Sequence, residues 1–231
     1  MNYGQPYQSP MAVQNMVAAA MKRVYLNMFL GLLVTAFVSL LCASSPSLML
    51  SIATSRWMMI GLVVVEIGLV IGITSAINRL STTTAMLLFF LFAAVNGLML
   101  APIFIIYTGT SIAKTFFITA GTFGAMSVYG YTTRADLSKI GHILVMALIG
   151  IIIASLVNMF MKSEQFDYLI SFIGIIVFVG LTAWDTQKIK KMAEVMPADQ
   201  VGRLATLGAL SLYLDFINLF LYLLRFFGDR R

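Results

Sequence analysis

Leu207-Gly208-Ala209-Leu210-Ser211-Leu212-Tyr213-Leu214-Asp215-Phe216-Ile217-Asn218-Leu219-Phe220 lies inside an apolar run, about residues 204–224, that carries a single carboxylate. Asp215 stands twelve residues from Arg203 and ten from Arg225. At 1.5 Å rise per residue it is roughly 15–18 Å from either end of a helix. That is the middle of a membrane span. Gly208, Ser211, Asp215, Asn218, Tyr222 and Arg225 follow one another at spacings of 3, 4, 3, 4 and 3, so they share one helix face. The opposite positions are Leu, Phe and Ile. A polar seam of this kind faces protein or water, and the sequence leaves two roles open for it: a functional path, or a hydrogen-bond seam that holds helices together.

Composition extends the membrane reading to the whole chain. Of 231 residues, 60% are apolar and 10% are charged, where a soluble domain carries roughly 25% charged residues. Too few polar side chains exist to cover a soluble surface, whereas lipid-facing positions require apolar ones. The net charge of +6 does not point to nucleic acid, because the bases sit at the ends of apolar runs, where they anchor helices. The lone Cys42 has no partner for a disulfide and reads as a packing residue.

The pattern predicts an all-α integral membrane protein with seven transmembrane helices, at about residues 24–44, 57–77, 85–107, 112–131, 141–161, 168–187 and 204–224. Residues 1–21 read as a flexible polar tail running into a short Ala-rich helix, and 22–231 as one seven-helix bundle. The fifteen bases divide nine to six in favour of a cytoplasmic N-terminus, although the basic C-terminal tail argues the other way. Gly68 with Gly72, and Ala120 with Gly124, have the spacing that lets helix backbones approach, so they are expected at helix contacts. Asn96 and Asn158 are expected to hydrogen-bond between helices.

Two further carboxylates lie in or beside apolar runs. Glu66 is in mid-span, as either a protonated structural group or an ion-path residue. Asp185 closes the sixth span and is either a solvated interfacial residue pairing with Lys188 or Lys190, or a partner of Asp215. A carboxylate at the bilayer centre costs about 2.5–3.5 kcal/mol on insertion scales, which makes each a functional candidate. Arg79 continues the face of Gly68, Gly72 and Ser75, from which it could reach a carboxylate on a neighbouring helix. His142 has no Cys or His partner for zinc, and no nucleotide loop or nucleophile–base set is present, so no enzyme is expected.

Three strings resemble the transmembrane Bax-inhibitor-motif family, in particular its bacterial branch. They are Gly174 through Ala183-Trp184-Asp185-Thr186-Gln187, the Leu207–Phe220 string, and Gly130-Tyr131-Thr132-Thr133-Arg134-Ala135-Asp136-Leu137-Ser138. The resemblance covers Lys22 to the C-terminus. It implies a C-terminal helix wrapped by the other six, location in the bacterial inner membrane, and a pH-sensitive calcium leak. It also implies a di-aspartyl sensor, which maps to Asp185 and Asp215, with Arg79 as the arginine that latches onto the pair. Asp215, Glu66 and Asn218 then line the ion path, and Asp185 and Asp215 are the residues that meet Ca²⁺.

The chemistry fits that expectation. Two buried carboxylates close together do not both ionise cheaply, so they share a proton. Ionised, they offer hard oxygens to Ca²⁺ and an anchor to an arginine. No cofactor is expected, only Ca²⁺ and protons as permeant or bound ions and the lipid bilayer as surroundings. Two other functions remain open: a regulatory protein that acts on a membrane-protein partner, such as a protease, without transport, and a proton-coupled transporter.

Overall fold

The computed structural model describes residues 10–231, and among them every extended element is helical. The one exception to helix and loop is an isolated antiparallel bridge between Tyr107 and Arg230. In chain order the helices are α1 (Pro10–Ala43), α2 (Pro46–Thr54), α3 (Arg56–Ala76), α4 (Thr82–Leu100), α5 (Ile103–Ile106), α6 (Gly109–Thr132), α7 (Ser138–Met161), α8 (Glu164–Val195) and α9 (Val201–Phe227). Six of these stretches are long and apolar enough to cross a membrane: α1, α3, α4 with α5, α7, α8 and α9. The expected fourth span, α6, is long enough at 24 residues. Its Thr110, Ser111, Lys114, Thr115, Thr119 and Thr122 make it more polar than the rest.

Several boundaries differ from the sequence reading. The tail expected over 1–21 falls partly on residues 1–9, outside the described residues. From Pro10 onward the chain is helical and continuous with the first span. Proline is well placed in a first helical turn. Val17, Ala20, Met21 and Val24 then present one buried face at helical spacing. α2 was not anticipated, because nine residues are too short to register as a span. Pro102 splits the third span into α4 and α5, since its ring cannot continue the helix.

Burial is uneven. In α9, 67% of the apolar stretch is buried, against 6% in α3 and in α7. α9 packs against α1, α4, α6 and α8, while α3 lies mainly on α4 and α7 mainly on α8. Tyr213 of α9 is fully buried, flanked by the rings of Phe89 and Phe92 and bonded through its hydroxyl to Thr35.

The small-residue expectation fails for α3. Side chains added at Gly68 or Gly72 would meet nothing within 4 Å, and the same holds for Gly124 in α6. The close approaches lie elsewhere: Gly97 against Thr35, Gly130 against Ala183, Gly141 against the Trp184 ring and Gly174 against the Tyr222 ring. Asn96 does bond across helices. Asn158 instead accepts from the Ser163 backbone N–H at the α7–α8 turn, where Lys162 adopts a left-handed φ of 52°.

Candidate functional site

The polar seam of α9 faces α8 along its length. Arg225 pairs with Asp167 at 3.3 Å, the Tyr222 ring lies on Gly174 and stacks on Phe178, Ser211 lines the same cavity as Asp185, and Gly208 meets Ile189. The two helices therefore run antiparallel in one register, with the spacing of the seam matching that of its partners. Asn218, on the same face, donates to the Leu214 carbonyl one turn back.

Asp185 and Asp215 both lie along this seam, near enough for the charge of one to act on the other. α8 continues past Trp184 to Val195, which carries Asp185 into the packed part of the helix. Asp215 is 4% exposed, one of its carboxylate oxygens has no hydrogen-bond partner, and the charge of Asp185 acts on it. Lys188, one turn beyond Asp185, also acts electrostatically on both carboxylates and lies 4.9 Å from the Trp184 ring. A cavity of about 260 Å³ opens beside Asp185. Asp185, Lys188, Gly208 and Ser211 line it from α8 and α9, and Val70 and Thr74 of α3 close it.

Arg79 is not part of this arrangement. It lies exposed in the turn after α3, with no ion pair to either aspartate and no place in the cavity lining. The face of α3 from which it was expected to reach across is open rather than packed, as the free space at Gly68 and Gly72 indicates.

Glu66 belongs to a second polar group. Asn96 of α4 donates to its carboxylate at 2.8 Å, and the remaining Asn96 oxygen is buried without a partner. Sequence reading singled out both residues but not the pair, because thirty residues and a helix turnaround separate them.

The ends of the motif strings are joined by Gln187. Its side chain accepts from the Leu137 N–H at 2.9 Å and donates to the Ala135 carbonyl at 2.8 Å. Lys190 donates to the Tyr131 carbonyl, and Lys191 pairs with Asp136 at 2.7 Å. The loop after α6 is thereby fastened to α8 one turn from Asp185. Gln187 was missed as a structural residue; its place at the end of the Asp-Thr-Gln string was the available signal.

Among the described residues no three His, Cys, Asp or Glu side chains converge as a metal site. Two carboxylates and the Ser211 hydroxyl supply fewer oxygens than the six to eight that Ca²⁺ takes. This donor set suits a cation that keeps much of its water.

A helical membrane-type bundle with two electrostatically coupled carboxylates, the half-buried Asp185 and the buried Asp215, on its last two long helices defines the class. The chain belongs to the family described as Inhibitor of apoptosis-promoting Bax1, which it matches over residues 17–231. It is 53% identical over 214 residues to the inner membrane protein YbhL of Escherichia coli strain K12, covering 91% of this chain and 92% of that one. An uncharacterized protein of Rickettsia prowazekii is 46% identical, with 91% and 89% covered. An uncharacterized membrane protein of Streptococcus pyogenes is 36% identical, with 89% and 90% covered.

Proposed function

We propose that this protein is a pH-sensitive cation leak of the bacterial inner membrane, with calcium as its permeant ion and the Asp185–Asp215 pair as its proton sensor. One observation carries the reading: Asp215, buried and with an unpartnered oxygen, feels the charge of a second carboxylate, Asp185, which lines a cavity that another helix closes. A purely structural seam would have its buried oxygens satisfied.

In this reading α6 also spans and brings the number of spans to seven, the N-terminus is cytoplasmic, and α9 is the central helix, for which its deep burial is the support. The two aspartates share protons as a unit. When both are protonated they lose their hold on cations and on basic groups. α3, which buries only Ile73 in the bundle, then moves away from the cavity that Val70 and Thr74 cover. Arg79 closes over the pair when it is ionised, and its exposed position corresponds to the unlatched state. Asp215, Asn218 and Glu66 line the route. No catalytic step is assigned.

The test is calcium flux into liposomes that hold the purified protein and a calcium dye, measured across a pH series. Asp185→Asn and Asp215→Asn should each flatten the pH dependence. An unchanged profile in both removes the sensor assignment. Saturable flux with counter-flow would make the protein a transporter, and no flux at any pH would favour a regulatory role.

A further inference from the structure

α1 and α6 both pack on α9 but scarcely touch each other. Two cavities lie in the gap between them, the first with α9 as its floor. One half is a cavity of about 380 Å³ walled by Leu32, Ala36, Phe104 and Phe116 over Phe216 and Phe220. The other half, of about 460 Å³, lies between Ala18, Met21 and Tyr25 of α1 and Gly124, Ser127 and Tyr131 of α6.

Each half contains a buried serine hydroxyl with no hydrogen-bond partner: Ser39, 4% exposed, in the first and Ser127, 6% exposed, in the second. Buried hydroxyls rarely stay unpaired, and each therefore calls for an acceptor or donor from outside the chain. Their depth is informative. Ser39 lies four residues from the end of α1 and Ser127 five from the end of α6, so each is roughly 6–8 Å inside its helix end. In a bilayer that is the boundary between acyl chains and headgroups, where glycerol ester carbonyls lie. Exposed bases adjoin both halves in the chain: Lys114 follows Ala113 of the first lining, Arg231 is tied to the Ile106 carbonyl by its backbone N–H, and Lys22 and Arg23 follow Met21 of the second lining.

We propose that the α1–α6 cleft is a binding site for anionic phospholipid. An acyl chain fills the apolar wall over Phe216 and Phe220, an ester carbonyl accepts from the Ser39 hydroxyl, and the phosphate meets Lys114 and Arg231. Ser127, Lys22 and Arg23 repeat the arrangement for the opposite leaflet. The site is separate from the aspartate cavity and does not depend on ion conduction.

The experiment is native mass spectrometry of the delipidated full chain, titrated with phosphatidylglycerol, phosphatidylcholine of the same chains, or palmitate. Wild-type protein should retain phosphatidylglycerol in preference to both others. Ala36→Phe with Ala113→Phe, at two exposed positions that line the cleft, should weaken retention at least tenfold. Ser39→Ala should weaken it about three- to tenfold, as expected for one hydrogen bond. Equal binding of phosphatidylcholine or palmitate, unchanged retention in the filled variant, or a wild-type dimer that excludes lipid would each overturn the proposal.

Discussion

The backbone of Gly130, near the end of α6, lies directly against the carbonyl of Ala183 in α8, with no room for a methyl group between them. The obstacle is backbone, which cannot rotate away. Gly130→Ala should therefore push α6 off α8 and destabilise the protein by about 1–3 kcal/mol, as overpacking does. Gly121→Ala, at a helical site with nothing within 4 Å, is the control. It should be neutral or gain up to about 1 kcal/mol from helix propensity. Thermal melts of the detergent-solubilised variants check both.

The contrast between these glycines explains what the sequence could and could not reveal. The seam of α9 was legible because its residues recur at helical spacing among Leu, Phe and Ile, and a polar stripe in an apolar helix has few places to face. Its match to α8 required Asp185 to lie in a helix that continues to Val195. Hydropathy stops near Gln187, where lysines begin, so that extension was invisible. Gly68 and Gly72 were misread because a small-residue face has the same spacing whether it meets a helix or lipid. Arg79 lies exposed just beyond that open face. The pairing of Glu66 with Asn96 is a tertiary fact that no local period encodes.

Gln187 offers a prediction on the same inner end of α8. Its amide satisfies two backbone groups of the α6–α7 loop, the Leu137 N–H and the Ala135 carbonyl. Gln187→Ala leaves both unpaired, with the Leu137 N–H in a buried residue. A loss of about 1–3 kcal/mol is expected, together with faster hydrogen exchange in residues 133–138. Gln187→Glu keeps the acceptor for Leu137 and loses the donor to Ala135, so it should fall between wild type and alanine.

Asp136 allows a pH prediction with a definite sign. The Lys191 hydrogen bond and those from Ser138 hold its carboxyl down, from 3.8 to about 2. Because the folded value is depressed, the interaction is fully present above the unfolded value and is lost as pH falls through about 2. Asp136 thus stays ionised throughout the range in which a membrane pH sensor operates. Asp136→Asn should leave the pH profile of flux unshifted between about pH 5 and 8, in contrast to the two seam aspartates. The difference in melting temperature between wild type and Asp136→Asn should be constant above about pH 5, shrink below it and vanish only below about pH 2. A shifted flux profile in this variant would place part of the sensor in the loop.

The last prediction concerns the link between α1 and α9. Thr35 donates its hydroxyl hydrogen to the Ala93 carbonyl at 2.8 Å, which leaves its oxygen to accept from the Tyr213 O–H. Both residues are buried, so the two single variants are unequal. Tyr213→Phe removes a donor, and Thr35 still has its bond to Ala93, so the loss should be about 1 kcal/mol. Thr35→Val strands the Tyr213 hydroxyl among Phe89 and Phe92, where no water replaces the partner, and should cost about 1–3 kcal/mol. The double variant has no stranded hydroxyl. Its loss should fall short of the sum by about 0.6 kcal/mol, the average for hydrogen bonds between membrane helices, and by no more than about 1.7. Equal single losses that simply add would mean that the two hydroxyls are not bonded in the folded protein.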